Sequence, residues 1–456
     1  MHSGQQSNVP GSFRDPSGFI FFKEGILCRQ INMVAKKNYD QLMSSGLYHE
    51  LIKNGWLIRH EDAGTPEDGY KIINPEVINF ISYPYEWCFS QFKDAALLTL
   101  KIQKKAIEFG MSLKDASAYN IQFKNGRPIL IDTLSFEKYE EGKPWVAYKQ
   151  FCQHFFAPLA LMVYKDVRLS QLLRIYIEGI PLDLASSLLP AKTRFKASLL
   201  SHIHIHSKAQ SFFSGKKTAG QNYKMSKWGM LSLLDNLESS IKSMNWKTKG
   251  TEWAEYYKFT NYSAPALSEK EKIVEDMLIQ AGPKTVWDLG ANTGLFSRLA
   301  SRKGMATLSL DFDPVAVEKN YQEVRLREEK DILPLLLDLT NPSSAMGWAN
   351  EERMAFLSRG PADLVMALAL IHHLCISNNL PFKHVAQFFS KICSSLIIEF
   401  IPKSDSQVKK LLKTREDIFE NYNENFFETE FSKLFEIKKK KKLTDSERML
   451  YLMVKK

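Results

Sequence analysis

The chain has 456 residues, 44% of them hydrophobic, so it can bury well-packed cores and is too long for one ordinary domain. Lysine and arginine number 61 against 51 acids, a net charge of +10 that admits an anionic partner without naming one. No run of 18 apolar residues occurs and residues 1–14 are polar, which argues against a membrane span and a secretory signal. The cysteines (Cys28, Cys88, Cys152, Cys375, Cys393) are scattered, odd in number and without a C-x-x-C pair. That usage points to reduced thiols and a cytoplasmic setting, not to a disulfide frame or a zinc site.

Two domains are expected, an α+β domain over residues 1–245 and an α/β domain over residues 250–456. Residues 13–31 read as short strands around Gly18 and Gly25, with no glycine-rich phosphate loop. A helix is expected over residues 91–109. After it, Lys114-Asp115-Ala116-Ser117-Ala118-Tyr119-Asn120 leads into a hairpin turning at Lys124-Asn125-Gly126 and ending in Asp132. The spacing D-x-x-x-x-N, with a second Asp twelve residues beyond the Asn, resembles the catalytic and metal-binding loops of protein kinases and aminoglycoside-phosphotransferase-like enzymes. That resemblance implies a base at Asp115 and magnesium ligands at Asn120 and Asp132. The departures are plain. Lys114 stands where His-Arg or His-Gly usually leads the loop, Thr133-Leu134 follows Asp132, and no phosphate-holding lysine can be assigned. A degenerate kinase-like module fits better than a working kinase. The other reading is structural: Asp115 caps a turn and Asn120 braces the hairpin.

Residues 192–227 carry eight Lys or Arg and no acid, interleaved with Phe195, Phe212, Phe213 and Tyr223. Such a mixture suits a nucleic-acid groove; a basic linker or surface is the plainer expectation. His202, His204 and His206 would share one face of a strand and could bind a metal, whereas a helix would splay them. The domain boundary is placed between residues 242 and 269, where Trp253, Tyr256, Tyr257 and Tyr262 read as a cover segment.

The second domain opens on the most specific motif. Thr285-Val286-Trp287-Asp288-Leu289 is an apolar strand that runs into Gly290-Ala291-Asn292-Thr293-Gly294, and a helix follows through Leu295, Phe296, Leu299 and Ala300. A dinucleotide fingerprint G-x-G-x-x-G fails at Asn292 and Leu295. What remains, D-x-G-x-x-x-G, resembles the first motif of class I S-adenosylmethionine methyltransferases. That ligand has no phosphate to cradle and needs backbone room, which Gly290 and Gly294 leave; Asn292 tolerates left-handed backbone.

Further strands follow, each ending in an acid. Residues 306–310 end at Asp311, residues 333–337 at Asp338, and residues 395–398 at Glu399; residues 363–370 form a nearly all-apolar strand. Asp313-Pro314 reads as a helix cap with proline at the first helical position, the helix running from Val315 towards Glu329. Alternation of apolar strands with helices predicts a buried, mostly parallel Rossmann-like sheet with acids at its carboxyl ends. Late strands near Phe435 and over residues 449–454 would close it antiparallel. The lysines at 438–442 would lie on the solvated face and edge of the first of these strands. The motif resemblance makes Asp288, Gly290, Asn292, Gly294, Asp311 and Asp338 the candidate cofactor contacts, Asp311 for ribose hydroxyls and Asp338 for the adenine amino group.

Taken with Asp15-Pro16-Ser17-Gly18-Phe19 and Ile81-Ser82-Tyr83-Pro84-Tyr85-Glu86-Trp87, these motifs together resemble a bacterial family of two-domain S-adenosylmethionine-dependent methyltransferases, the NoeA-like nodulation proteins. The resemblance implies methyl transfer without naming an acceptor. His372 and His373, after the fourth strand, and Glu399 are the candidate bases. No Asn/Asp-Pro-Pro-Tyr motif follows that strand, and Cys375 has no partner for 5-methylcytosine chemistry. The expected reaction is O-methylation of a small-molecule or glycan-type acceptor. A phosphotransferase or nucleotide-binding pseudokinase joined to a methyltransferase domain, and an RNA-modifying methyltransferase, are the alternatives.

Overall fold

A computed structural model describes residues 6–205, 224–248, 264–413 and 416–456. The chain divides into two units, Met1–Lys247 with Ala345–Arg353, and Thr248–Ser344 with Met354–Lys456. The excursion Ala345–Arg353 is not foreseen from the sequence. It is held by Glu352, whose carboxylate takes two bonds from the Arg14 guanidinium, at 2.6 and 2.8 Å.

The described part of the first unit has a five-stranded antiparallel sheet. Its strands are β1 (Gln6–Asn8), β2 (Gly18–Lys23), β3 (Ile26–Ile31), β4 (His60–Gly64) and β5 (Lys71–Pro75), in the order β1-β2-β3-β5-β4. β2 and β3 turn at Glu24 and Gly25, with φ of 54° and 80°, the backbone that a two-residue hairpin turn demands. Gly18 is obligatory, because a Cβ there would come within 2.1 Å of the Gln30 carbonyl.

The helix Phe89–Glu108 buries Phe92, Ala95, Leu100, Ile102 and Ala106 along one stripe. Short pairs follow, β6 (Met111–Leu113) with β9 (Phe136–Lys138) and β7 (Ile121–Lys124) with β8 (Arg127–Leu130). The turn joining β7 and β8 again uses two positive φ values, at Asn125 and Gly126. Ser82, Tyr85, Glu86 and Trp87 are buried, with the Trp87 indole N–H on Ser82 Oγ at 2.9 Å and Glu86 accepting the Tyr83 amide at 2.9 Å. These side chains belong to the core of the first unit.

His202 and His204 lie in a helical turn, Leu200–Ile205, and not on a strand. His202 meets Tyr148 and Asn236, while His204 meets Ser186 and Thr193. Helical geometry sends them to different partners. Among the described residues no group of three His, Cys, Asp or Glu is placed to hold a metal. His206, residues 206–223 of the basic stretch 192–227 and the expected cover segment with Trp253, Tyr256, Tyr257 and Tyr262 lie outside the described residues.

The second unit is Rossmann-like. Its described strands are β10 (Thr285–Leu289), β11 (Ala306–Asp311), β12 (Ile332–Leu336), β13 (Ala362–Ala367), β14 (Cys393–Phe400), β15 (Phe435–Lys442) and β16 (Met449–Lys455). They form one sheet in the order β12-β11-β10-β13-β14-β16-β15. The first five are parallel, and β16 closes antiparallel between β14 and β15. Strand order reverses between β10 and β13, the switch point beside which open α/β sheets bind ligands. β15 is the edge strand, and Lys438, Lys440, Lys441 and Lys442 are exposed on it, discouraging further pairing.

The helix Ala264–Ala281 packs Val274, Met277 and Leu278 on Val286, Leu364, Met366, Ile397 and Leu452. The helix Pro314–Leu326 starts on Asp313, whose side chain accepts the Val315 amide; it stops short of Glu329 because Glu328 turns left-handed at φ 53°. Among the described residues no helix is long and apolar enough to cross a membrane.

Leu364 is fully buried at the centre of this sheet, while Leu326 is 79% exposed. Leu364→Ala is expected to lower stability in urea unfolding of the full chain by about 2–5 kcal/mol. Leu326→Ala should stay within about 0.5 kcal/mol. Equal effects of the two would contradict this core.

Candidate functional site

A cavity of about 430 Å³ opens at the carboxyl ends of β10, β11 and β13. Much of its wall comes from strand ends. Asp288 stands near the end of β10, with Gly290 and Asn292 in the loop after it; Asp311 ends β11 and Phe312 follows it; Leu337 and Asp338 follow β12; Leu368, Ala369, Leu370 and His373 follow β13. Lys270 enters from the helix Ala264–Ala281.

The loop after β10 is shaped by two left-handed residues, Gly290 at φ 75° and Asn292 at φ 50°. Both Gly290 and Ala291 donate their amides to the Leu310 carbonyl of β11, at 2.8 and 3.0 Å. The Asn292 amide donates to Asp311 Oδ2 at 2.7 Å, and the Asp313 amide donates to Oδ1 at 2.9 Å. Ser297 Oγ donates to Asp288 Oδ2 at 2.6 Å. Burial pushes the Asp288 carboxyl up to about 7, against the pull of the Ser297 bond. Burial likewise pushes Asp311 up to about 6 although backbone amides of Asp313 and Asn292 stabilise its charge.

Asp288, Gly290, Asn292, Asp311 and Asp338 thus meet around one cavity. Gly294 does not line it. It sits at φ 81° facing the interior, where a Cβ would come within 2.6 Å of the Asn320 amide group and 2.7 Å of Arg298 Nη1. That glycine serves close packing on the helix Pro314–Leu326, not ligand access. Asp338 is exposed, two residues beyond the end of β12, and its Oδ1 accepts both the amide and the hydroxyl of Thr340.

The three candidate bases separate. His373 lines the cavity. Burial lowers its imidazole to about 4, so it is neutral at pH 7. His372 is 2% exposed and does not line the cavity; burial first, then His373, Arg448 and Lys270, holds it well below the ordinary histidine range. Glu399 does not line the cavity. It lies inside β14, is fully buried, and its Oε2 accepts from Lys270 Nζ at 2.7 Å and from the Ala369 amide at 2.8 Å. A strand-end acid is indistinguishable in sequence from one that a neighbouring lysine engages from below.

Two lining residues escape a motif search. Phe312, 60% exposed, follows Asp311 directly. Lys270 shares a helical stripe with Leu267, Val274 and Met277, and a lone charge in an apolar stripe is the signal that marks it.

In the first unit Asp115, Asn120 and Asp132 do converge. Asp132 accepts from the Leu134 amide and Ser135 Oγ, both at 2.8 Å, and Asn120 donates to that same Ser135 oxygen at 3.3 Å. Burial pushes Asp115 up, with the charge of Asp132 adding to it, while Asn120 and Gln150 bond its carboxyl. Arg29 of β3 lies 2.6 Å from Asp132; burial opposes ionisation of that carboxyl, but the guanidinium holds it below the usual carboxylate range. The expected magnesium ligand is therefore already paired with a cation.

The second unit defines a Rossmann-like α/β domain with its cavity at the switch point. The chain is 34% identical to nodulation protein NoeA of Rhizobium meliloti (strain 1021) over 455 residues, covering 97% of this chain and 95% of that protein. It belongs to the NoeA family. No family model matches it. Among solved structures it is similar to magnesium protoporphyrin IX methyltransferase from Synechocystis PCC 6803 with bound SAH, at 17% identity and a TM-score of 0.33 over 45% of this chain and 93% of that one. It is also similar to the bifunctional kinase-methyltransferase WbdD, at 15% identity and a TM-score of 0.30 over 44% of this chain and 41% of that one. Likeness at that level carries no weight for the activity of this chain.

The two raised carboxyls have a consequence for stability. Both ionise at higher pH in the folded chain than their ordinary 3.8, so the folded state holds their protons more tightly than the unfolded state. Their contribution is fully present below about pH 4 and is lost as pH rises through 6 and 7. Asp288→Asn is expected to flatten that fall and to raise the urea midpoint at pH 8 relative to the parent chain. A parent and variant that lose stability in parallel between pH 5 and 8 would contradict it.

Proposed function

We propose that the second unit binds S-adenosyl-L-methionine and transfers its methyl group to oxygen of a small-molecule or glycan-type acceptor in the cytoplasm. One observation carries this reading. The left-handed loop at Gly290 and Asn292 and the acids Asp288, Asp311 and Asp338 surround a single cavity at the switch point of a Rossmann-like sheet. Its volume of about 430 Å³ lies within the roughly 300–1,000 Å³ of small-molecule sites. Carboxylates suit a cationic, hydroxyl-bearing ligand, and the failed dinucleotide fingerprint argues against a pyrophosphate.

The cofactor supplies a methyl group already activated on a sulfonium, displaced in line by the acceptor. Catalysis by the chain is then alignment and exclusion of water. In this reading Asp311 faces the ribose hydroxyls, Asp338 the adenine amino group, and Asp288 the cationic end. Phe312, Leu337 and Leu370 supply apolar walls. His373 is the group placed to accept the acceptor's proton; its neutral form is available at pH 7, and burial makes it a weak base.

Calorimetry on the full chain is the test. S-adenosylhomocysteine should bind, and both Asp288→Ala and Gly290→Leu should weaken it at least about tenfold; each 1.4 kcal/mol lost corresponds to that factor. At Gly290 a side chain meets both a φ of 75° and Leu370 at 3.3 Å. Undiminished binding in both variants would remove the assigned site.

A second reading concerns the first unit, a nucleotide site built on Asp115, Asn120 and Asp132. What favours it is the convergence of those three side chains, with Arg29 as the cation that would have to turn from Asp132 to phosphate. In protein kinases the phosphate-holding lysine stands on the third strand of the sheet, and Arg29 of β3 is the cation beside Asp132. Magnesium-dependent ATP binding, lost in Asp132→Ala, is expected. A flat ATP titration up to millimolar concentration counts against it.

A further inference from the structure

Beneath the cavity runs a chain of alternating buried charges. Lys270 Nζ lies 2.7 Å from Glu399 Oε2, Arg448 Nη1 lies 3.8 Å from Glu399 Oε1, and Arg448 Nε lies 2.8 Å from Asp405 Oδ2. Their side chains are 2%, 0%, 3% and 10% exposed. Burying four charges is costly unless each is paired, and so much polar density under an apolar sheet calls for a reason beyond stability.

The connections of the chain supply it. Lys270 stands on the helix Ala264–Ala281 and itself lines the cavity. Asp405 caps the helix Ser406–Leu412, whose Leu411 lines the cavity from another side. In the middle, Glu399 Oε2 accepts the amide of Ala369 at 2.8 Å. Ala369 has φ 50°, left-handed backbone that an alanine adopts only when its surroundings enforce it. It is the turn between β13 and the segment that carries Leu370, His373, Leu374, Ser377 and Asn378 into the cavity wall.

We propose that Glu399, anchored by Lys270 and Arg448, is a positioning residue that holds Ala369 in its left-handed turn and thereby sets the cavity wall from Leu368 to Asn378, His373 included. The proposal rests on the cavity being the cofactor site. Glu399 takes no part in proton transfer here, because both its oxygens face buried cations and a backbone amide.

A double-mutant cycle separates this role from a merely structural one. Glu399→Leu, which removes the acceptor, should weaken S-adenosylhomocysteine in the full chain about tenfold, the order of the left-handed backbone penalty for a non-glycine residue. In an Ala369→Gly background, where that penalty is absent, the same Glu399→Leu change should alter affinity less than about threefold. A tenfold loss in both backgrounds overturns the clamp. Hydrogen exchange with fragment resolution on the parent chain tests it without ligand or substitution. The Ala369 amide should exchange as slowly as those of β13, and fast exchange overturns the proposal even where Glu399→Leu does not fold. Slow exchange in a chain that binds no S-adenosylhomocysteine would spare the clamp and sink the cofactor reading.

Discussion

The Asp311 carboxylate is the constraint on which the second unit's site depends. Its two oxygens take backbone amides from two different loops, Asn292 after β10 and Asp313 after its own strand, at 2.7 and 2.9 Å. One side chain thus locks the ends of two adjacent parallel strands. The left-handed backbone at Asn292 exists to aim its amide at that carboxylate, and Gly290 and Ala291 complete the lock by bonding the Leu310 carbonyl. The helix Pro314–Leu326 starts where it does because Asp313 is held by the same group. The cost is electrostatic. A carboxylate so placed is buried, and both it and Asp288 are raised towards the neutral range. Carboxyls raised in this way cluster at functional sites.

Local signals explain why the sheet could be read from the chain. β10, β11, β12 and β14 were expected close to their observed ends, because apolar runs bounded by an acid or a glycine turn are determined by neighbours in sequence. The strand after Asp363 was expected through Leu370 and ends at Ala367, since apolar composition does not reveal that Ala369 turns left-handed. Asp313 reads as a cap because proline follows it. Asn292 suits the turn because asparagine accepts positive φ. For the cap and for the tolerance of Asn292, the signal spans four residues or fewer.

Glu399, His372 and Gly294 show where that reach ends. All three stand where a motif would place a functional group. Asp288 and His373 line the cavity and these three do not, and the difference lies in which distant element comes against each. Glu399 faces Lys270, 129 residues away. Gly294 faces Asn320 across the loop, so its missing side chain makes room for packing. A pattern of spacing records that a residue type is required, but several physical demands require the same type. The converse holds for Lys270, which no motif names and which the apolar stripe around it marks as out of place.

The same logic bears on the first unit. Asp115, Asn120 and Asp132 do come together, as their spacing suggested, but convergence alone does not distinguish a metal site from a braced turn. The distinguishing residue is Arg29, which belongs to a different strand and whose guanidinium supplies to Asp132 the positive charge that a magnesium ion would. A permanent cation of that kind stabilises the ionised carboxylate without any ligand, and this is why Asp132 lies low while Asp115, lacking such a partner, lies high. For a divalent ion to bind there, the guanidinium must move off Asp132 or share it. Any nucleotide affinity would therefore depend on how readily Arg29 exchanges that carboxylate for phosphate oxygens, for which its planar fork is well suited.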